Sequence, residues 1–325
     1  MTKFSLALPK MGCGTWAWGN RLLWGYSPDM DQELQAAFDF CVTAGITLFD
    51  TGDSYGTGRL NGRSESLLGQ FSQAYQGRNQ DKIILATKLA PYPWRLTAGS
   101  MKRAYRSSSE RLQRPVDLVQ MHWSTANYAP WQEKNLLRGL AELDDADQVR
   151  GVGVSNYGGD RLRKIHQWFT DWGVPIKTLQ VQYSLLSQDP VTKYGVKEVC
   201  DELGIQLIAY SPLALGLLTG KYSLDKPLPK GLRNRAFKQI LPEMGQLQAC
   251  LQELMAIHQK TMAQVALNWC ICKGTIPIPG AKNLAQAQEN AGALGWRLSA
   301  AEVENLDRAA ASVSKTMLQN PFQSQ

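Results

Sequence analysis

Short apolar runs alternate with amphipathic segments along almost the whole chain, and this alternation constrains the fold more than any other feature. The runs span about five to seven residues and are largely apolar rather than alternating, which is typical of parallel strands buried on both faces. We predict eight strands: Met11–Thr15, Ile46–Asp50, Lys82–Lys88, Val116–His122, Val149–Val154, Thr178–Gln182, Ile205–Tyr210 and Thr275–Pro279.

Helical periodicity fills the intervals between these runs. In residues 31–43, for example, Leu34, Phe38 and Cys41 recur at the spacing of one helix face. The predicted helices are Asp31–Thr43, Ser64–Gln76, Thr97–Leu112, Gln132–Ala146, Gly158–Asp171, Thr192–Leu203, Met244–Gln259, Met262–Lys273 and Asn283–Leu294.

Eight alternations of strand and helix favour an α/β fold of the closed (β/α)8 TIM-barrel type over an open, doubly wound sheet. No G-x-G-x-x-G motif opens a helix after a strand, which argues against a Rossmann dinucleotide fold. No linker rich in proline, glycine or serine divides the chain. We therefore predict one barrel domain over residues 1–314 and a polar C-terminal tail over residues 315–325.

One interval departs from this rhythm. Ser211 to about Pro242 is rich in proline and glycine and shows no clear helical pattern, so we predict a long irregular loop there. Loops of this length inside a compact domain are usually functional. Because the loop follows the seventh strand, it emerges at the C-terminal face of the barrel, where barrel proteins bind their ligands.

Charge and cysteine content narrow the class of protein. The formal net charge of +7 suits an anionic ligand, but the basic residues are scattered, so nucleic-acid binding is not predicted. Six cysteines without a CxxC pair are typical of buried thiols in a reducing compartment, with neither metal nor disulfide. The first residues do not resemble a secretory signal, and no apolar window reaches the ~20 residues of a membrane helix. These features predict a cytoplasmic protein.

Polar side chains stand where several predicted strands end. Asp50, Lys88 and His122 close the second, third and fourth strands, residues 155–156 follow the fifth, and Tyr55 lies five residues beyond Asp50. Taken singly, Asp50 reads equally well as a turn or cap carboxylate, and His122 as a hydrogen-bonded core histidine. A lysine that closes an apolar strand is more unusual, because an unpaired buried ammonium is costly. In a barrel these strand ends converge, which favours a shared site.

The four titratable groups have a chemical use together. A tyrosine is a poor proton donor at its ordinary pKa of about 10. A nearby lysine is expected to lower that pKa, and Asp50 is expected to hold Lys88 in place. His122 is expected to orient a substrate carbonyl or to help move the proton.

Six segments occur in the order typical of one enzyme family: FDTGDSYG, the lysine that ends KIILATK, the histidine of LVQMH, GVGVSNY, AYSPLALGLLTGKY and IPGAKNLAQAQEN. From Gly14 to Asn290 the chain thus resembles the aldo-keto reductases. The resemblance implies an oxidoreductase that reduces aldehydes or ketones to alcohols by hydride transfer from NADPH. It also implies a catalytic tetrad of Asp50, Tyr55, Lys88 and His122, with Tyr55 as the general acid.

The same resemblance implies that NADPH/NADP+ lies extended across the barrel mouth under the long loop. Tyr210 would stack on the nicotinamide, and Lys282 would face the 2′-phosphate, although several family members carry arginine at Lys282 or Gln286. A lysine offers a point charge without the arginine fork. The implied cofactor residues are Gly14, Thr15, Trp16, Asp50, Ser155, Asn156, Gln180, Tyr210, Ser211, Pro212, Leu213, Gly216, Leu218, Lys221, Gly280, Ala281, Lys282, Gln286, Glu289 and Asn290.

The substrate is expected to be a small carbonyl compound, and aromatic residues beyond the strand ends are candidates for its pocket. These are Trp16, Trp94 and Trp123, with Tyr92 beside them. Two other functions stay open at this point. One is a cofactor-holding regulatory protein, similar to the potassium-channel β subunits. The other is a barrel isomerase or aldolase that uses Lys88 as a Schiff base. The sequence predicts neither a metal, a membrane partner nor an oligomeric state.

Overall fold

Eight parallel strands stand side by side in sequence order and form one sheet. The computed structural model describes residues 6–58, 61–225, 227–229, 231–317, 320–321 and 323–324. The Gly14 amide donates to the Pro279 carbonyl at 3.1 Å, which joins the first strand to the end of the last and closes the barrel. The strands are β1 Gly12–Gly14, β2 Leu48–Asp50, β3 Ile84–Leu89, β4 Leu118–Met121, β5 Gly151–Ser155, β6 Ile176–Gln182, β7 Gln206–Tyr210 and β8 Ile276–Ile278.

Helices cover the outside of this barrel. Their bounds are α1 Arg21–Trp24, α2 Asp31–Thr43, α3 Arg63–Ala74, α4 Ala98–Leu112, α5 Pro130–Asp145, α6 Gly159–Asp171, α7 Asp189–Thr192, α8 Val196–Leu203, α9 Leu232–Ile240, α10 Gly245–His258, α11 Met262–Cys272, α12 Leu284–Ala291 and α13 Ala300–Ala311. The TIM-barrel prediction is confirmed, since each strand overlaps its predicted run. In the described part of the chain, no helix has both the length and the apolar character to cross a membrane.

Two predictions about the helices need correction. The predicted helix over Thr192–Leu203 is two helices, α7 and α8, because Gly195 adopts a left-handed conformation between them. The segment predicted as an irregular loop contains a 3-10 helix over Ala214–Thr219 and the helix α9. The prolines before α9 interrupt the helical periodicity in the sequence, so this helix was not predicted. Phe237 of α9 is buried.

The helix α13 was not predicted, although the sequence carries its start signal. Ser299 accepts a hydrogen bond from the Glu302 amide, and the Glu302 side chain accepts one from the Ser299 amide. This S-x-x-E capping box satisfies two backbone donors at once. The helix is held by Leu306, which is fully buried against the barrel.

Strand pleating explains why polar side chains collect at one end of the barrel. Along β3, Ile84 and Ala86 point to the barrel axis, where they pack with Leu118 and Ile208. Lys88 continues this inward row because side chains two residues apart share a face. The bottom of the barrel interior is therefore apolar, while its C-terminal end is polar.

Close backbone contact between α3 and α4 is possible because position 69 is glycine. A Cβ at Gly69 would lie 2.6 Å from the Arg111 carbonyl oxygen, which is closer than real contacts allow. At Gly99, in the first turn of α4, a Cβ would meet nothing nearer than 3.7 Å. The two glycines therefore differ in what an added methyl group would do.

We expect Gly69→Ala to lower the free energy of unfolding by about 1–3 kcal/mol, because the added methyl forces α3 and α4 apart. Gly99→Ala is the matched control, and it should leave stability unchanged or raise it by up to about 1 kcal/mol. Urea unfolding of both variants measures the difference. Equal stability of the two variants would contradict the proposed helix contact.

Candidate active site

A cavity of about 770 Å³ opens at the C-terminal end of the barrel. This volume falls within the usual range for small-molecule sites, about 300–1,000 Å³. Leu218 and Ala281 are buried behind its wall and do not line it. The other predicted cofactor residues do: Gly14, Thr15, Trp16, Asp50, Ser155, Asn156, Gln180, Tyr210, Ser211, Pro212, Leu213, Gly216, Lys221, Gly280, Lys282, Gln286, Glu289 and Asn290.

A buried ion pair forms the floor of the cavity. Lys88 and Asp50 are 1% and 2% exposed. The Lys88 ammonium donates one hydrogen bond to Asp50 Oδ2. It donates another to the Thr51 carbonyl, at 2.7 Å. The other carboxylate oxygen, Asp50 Oδ1, accepts from Gln180 Nε2 at 2.8 Å and from Gln120 Nε2 at 3.0 Å. Both charges are thus compensated by partners from four strands.

Tyr55 lies above this pair, with the Lys88 Nζ 5.0 Å from the centroid of its ring. Burial raises the pKa of Tyr55, and Lys88 lowers it without compensating fully, while Asp50 raises it further. The net pKa therefore stays above 10, and the expectation that Lys88 brings it below that value is wrong. Lys88 acts in the expected direction, but burial outweighs it. Tyr55 consequently keeps its proton at neutral pH.

Lys88 itself stays charged. Burial lowers the pKa of Lys88, but the attraction of Asp50 and the interaction with Tyr55 outweigh that effect and leave the pKa raised. A protonated ammonium has no lone pair with which to attack a carbonyl. The arrangement therefore disfavours the Schiff-base alternative.

His122 completes the set of four. Its ring meets the Tyr55 ring edge to face, with centroids 5.6 Å apart, and its Nδ1 lies 3.3 Å from Ser54 Oγ. Burial, assisted by the positive charge of Lys88, holds the pKa of His122 well below 6.5. The imidazole is therefore neutral at pH 7, and the structure brings all four predicted catalytic residues together.

Asn156 links the histidine to the predicted nicotinamide end of the cavity. It adopts a left-handed backbone conformation, with φ of 62°. Its Nδ2 donates to the His122 carbonyl and to Ser155 Oγ, both at 3.1 Å, and its Oδ1 accepts from the Tyr210 hydroxyl at 2.8 Å. The Asn156 amide is thus engaged by the protein itself and fixes two neighbouring side chains.

Part of the segment predicted as a polar tail packs against this same end. The Ser324 amide donates to the Asn156 carbonyl at 3.2 Å, and Ser324 Oγ accepts from the Gly158 amide at 3.2 Å. Asn320 Nδ2 lies 3.4 Å from the Tyr210 hydroxyl. Met317, Asn320 and Pro321 also line the cavity. The sequence carries no periodic signal for these contacts.

Three cations gather at the opposite end of the cavity. Burial lowers the pKa of Lys282, and the neighbouring charges of Arg233 and Lys221 lower it further. Arg233 and Lys282 also lie over the Trp24 ring, at 4.6 and 5.7 Å from its centroid. Arg233 Nε has no hydrogen-bond partner within the described residues. Such a cluster is an anion site, and sequence reasoning missed both Arg233 and Trp24.

The N-terminus of α12 lies beside this cluster. Asn283 caps the helix by accepting from the Gln286 amide at 3.0 Å, and Gln286 Oε1 accepts from the Lys282 amide at 2.9 Å. Helix N-termini attract anions. The local backbone thus adds to the attraction of the three side chains.

Aromatic residues also border the cavity. Trp16 and Trp123 line it, as the sequence suggested for a substrate wall. Trp94 does not line it, because it is 72% exposed and stacks on Tyr92 at 4.7 Å between centroids. Tyr92 in turn meets Trp123 edge to face at 6.4 Å. Trp94 therefore belongs to the outer rim of the site.

Metal and disulfide chemistry find no support in the part of the chain that the structure describes. No group of three or more histidine, cysteine or acidic side chains is arranged there to hold a metal ion. All six cysteines are free thiols, and four of them are buried.

Comparison with known proteins identifies the family. The sequence model of the aldo/keto reductase family matches residues 10–311. The chain is 53% identical to the chloroplastic pyridoxal reductase of Arabidopsis thaliana, covering 98% of this chain and 87% of that protein. It is 28% identical to L-glyceraldehyde 3-phosphate reductase of Escherichia coli K12, over 94% and 90% of the two chains.

Solved structures show the same fold. A glycerol dehydrogenase from Gluconobacter oxydans matches with a TM-score of 0.80 at 23% identity, over 99% of this chain and 98% of that one. An aldo/keto reductase from Klebsiella pneumoniae, in complex with NADP and acetate, matches with a TM-score of 0.72 at 24% identity, over 98% and 96%. The chain therefore belongs to the aldo/keto reductase family and is an NADP-dependent oxidoreductase.

The ion pair yields a stability prediction. Lys88→Met should lower the free energy of unfolding by about 3–5 kcal/mol, because it leaves Asp50 buried without its counter-charge. Asp50→Asn combined with Lys88→Met should recover most of this loss, since neither charge then remains. Tyr55→Phe should stay near the parent. Chemical unfolding of the four proteins tests this, and parent-like stability of Lys88→Met would contradict it.

Proposed function

We propose that this protein reduces aldehydes or ketones to alcohols with NADPH, and that Tyr55 is the general acid. The observation that carries the proposal is the position of a protonated Tyr55 over the Lys88–Asp50 ion pair, inside the cavity. Family membership supports the reaction type, NAD(P)H-dependent carbonyl reduction.

The residues present fit the cofactor. A dinucleotide with a 2′-phosphate is elongated and strongly anionic at one end. The cavity extends from Tyr55 to the cluster of Lys221, Arg233 and Lys282. Arg233 Nε has no hydrogen-bond partner among the described residues and can therefore donate to a phosphate oxygen. Tyr210 lines the cavity near Asn156, at the end opposite the cations. We therefore assign Arg233 and Lys282 to the 2′-phosphate and Tyr210 to the nicotinamide.

The protein's part in the reaction is to hold the carbonyl and deliver a proton. The reduced nicotinamide supplies the hydride. The Tyr55 hydroxyl gives its proton to the carbonyl oxygen, where negative charge develops. Lys88 stabilises the resulting phenolate, because an ammonium at this distance interacts strongly in a site with little water. Asp50 keeps Lys88 in place, and the neutral His122 orients the carbonyl as a hydrogen-bond donor.

The substrate proposed here is an aromatic aldehyde. Trp123 packs on His122 with ring centroids 4.8 Å apart, and together with Trp16 it gives the cavity flat apolar walls, which suit a planar ring. The Arabidopsis thaliana relative at 53% identity is named a pyridoxal reductase, and pyridoxal is an aldehyde of this class. We therefore propose pyridoxal as the first substrate to test.

A cytoplasmic location stays a prediction from the sequence.

Replacement of Tyr55 tests the central assignment. Tyr55→Phe keeps the ring and removes the hydroxyl, so it should lower kcat by about 10²–10⁴, the usual contribution of a positioned acid. NADPH affinity should stay near the parent value, since the inferred cofactor contacts do not involve this hydroxyl. Tyr105→Phe, which removes a hydroxyl bonded to the Gln148 carbonyl, is the control.

The assay follows loss of NADPH absorbance with pyridoxal and a panel of other aldehydes. Parent-like turnover in Tyr55→Phe would place the proton donor elsewhere. Tight NADPH binding by the parent, without turnover of any carbonyl compound, would instead favour a redox-reporting binding protein.

The cation cluster yields a prediction about cofactor choice. Arg233→Ala and Lys282→Ala should each weaken NADPH binding about 10- to 100-fold, the worth of one charged hydrogen bond. NADH affinity should change little, because NADH lacks the 2′-phosphate. Arg163→Ala, at an exposed arginine paired with Glu202, is the control. Fluorescence titration gives each Kd, and equal affinities of the parent for NADH and NADPH would refute the assignment.

A further inference from the structure

A buried ion pair lies behind the aromatic rim of the site. Asp53 is 6% exposed and stands on the loop that follows β2, shortly before Tyr55. Its Oδ2 accepts a hydrogen bond from Arg95 Nη1 at 2.6 Å, and its Oδ1 accepts one from the Ala90 amide at 3.1 Å. Arg95 Nη1 also donates to the Ala90 carbonyl at 2.7 Å. The pair thus joins the loop that carries the proposed acid to the loop that follows β3.

The same arginine holds an aromatic side chain. The Arg95 guanidinium lies 4.9 Å from the centroid of the Tyr92 ring, within the range of a cation–π contact. Gln132 of α5 fixes the backbone there, because it donates to the Tyr92 carbonyl at 2.9 Å and to the Arg95 carbonyl. The Tyr92 ring meets Trp123 edge to face, with centroids 6.4 Å apart. A row of contacts therefore runs from Asp53 to Trp123.

Trp123 is the member of this row that lines the cavity, whereas Asp53, Arg95 and Tyr92 do not. The Trp123 ring packs on His122 at 4.8 Å between centroids, next to Tyr55. A shift of Trp123 would therefore change the room that a flat ligand has beside the proposed acid. The residues behind Trp123 can act on such a ligand only through its position.

Stability does not account for the charge on Asp53. Burial raises the pKa of Asp53 to about 6, since Arg95 lowers it without compensating fully and Glu65 raises it further. The ordinary pKa of an aspartate is about 3.9, so the fold favours the neutral carboxyl more than the unfolded chain does. The free energy of unfolding therefore falls as the pH rises from about 4 to about 6, and the ionised group is retained at a cost.

We propose that Asp53 and Arg95 are positioning residues that hold Tyr92 against Trp123, and that this support makes the site selective for aldehydes with a planar ring over small aliphatic aldehydes. An aldehyde of a few aliphatic carbons makes little contact with the aromatic wall, so it gains little from the support. The ordering of the loop after β3 is a property of the protein alone, whereas the selectivity rests on the proposed function.

Two variants of similar shape address the pair. Asp53→Asn removes the charge, whereas Arg95→Lys keeps a charge but loses the planar guanidinium that lies over Tyr92. Glu142→Gln is the matched control, because it weakens an ion pair with Lys102 between α4 and α5, away from the cavity.

The loop is tested first, by hydrogen–deuterium exchange. Backbone amides of residues 89–97 should exchange about tenfold faster or more in Asp53→Asn than in the parent, and at the parent rate in the control. The midpoint of urea unfolding at pH 7 should not fall in Asp53→Asn, since the charge is costly to the fold. Unchanged exchange would overturn the proposal, and so would a lowered midpoint, which would make the pair a general structural support.

The selectivity test compares an aromatic aldehyde, pyridoxal or benzaldehyde, with propanal. Asp53→Asn should lower kcat/KM for the aromatic aldehyde about three- to tenfold, the worth of one aromatic contact, and change it less than about twofold for propanal. Arg95→Lys should act in the same direction, and NADPH affinity should stay at the parent value. Equal losses for both aldehydes would indicate general damage to the site and would overturn the proposal.

Binding measurements separate these results from a failure of the proposed function. The Kd values of benzaldehyde and propanal, measured by fluorescence titration of the protein loaded with NADP+, give the same ratio without turnover. If the parent binds aldehydes but reduces none, the proposed function fails while this ratio still decides the role of the pair. If Asp53→Asn loosens residues 89–97 and leaves the ratio at the parent value, the loop does not set the wall and the proposal is overturned.

Discussion

The ion pair between Lys88 and Asp50 is the interaction on which the rest of the site depends. An ammonium and a carboxylate removed from water are stable only when both are paired and their remaining hydrogen-bonding groups are satisfied. Here the Thr51 carbonyl, Gln120 and Gln180 complete that set. The pair and these groups come from β2, β3, β4, β6 and the turn after β2, so the pair forms only when the strands are in register. The candidate site therefore forms only in the folded barrel, and the ion pair favours the register that brings these strands together.

The alternating pleat of the strands gives the cavity its chemistry. Inward positions near the start of β2, β3, β4 and β8 are apolar, while those at the C-terminal end include Asp50, Lys88 and Gln120. The loops then add different groups at the two ends of the opening. The cations Arg233 and Lys282 lie together over Trp24, and the aromatic Trp123 lies beside His122. An elongated anionic cofactor and a flat uncharged substrate fit such a division.

The sequence could predict those parts of the site that depend on local pattern. Asp50, Lys88 and His122 were found because each follows an apolar run, and strand ends converge in any barrel. Arg233 could not be found this way. It lies in α9, whose helical pattern is obscured in the sequence by the prolines that precede it, and its distance from Lys282 depends on tertiary packing. The contacts of Asn320 and Ser324 are likewise made by a segment without periodicity. The direction of the Tyr55 pKa required knowledge of how deeply the ring is enclosed.

One positive charge under the cavity also distinguishes the proposed acid, Tyr55, from its neighbour His122. Lys88 lowers the pKa of His122 together with burial, so the imidazole is neutral at pH 7. The same charge favours a phenolate on Tyr55, although burial opposes it more strongly. A second cation on His122 would repel Lys88 in a medium that screens poorly. Lys88 is therefore the one cation among the four proposed catalytic residues, and in the proposed reaction Tyr55 releases a proton whereas the neutral His122 donates a hydrogen bond.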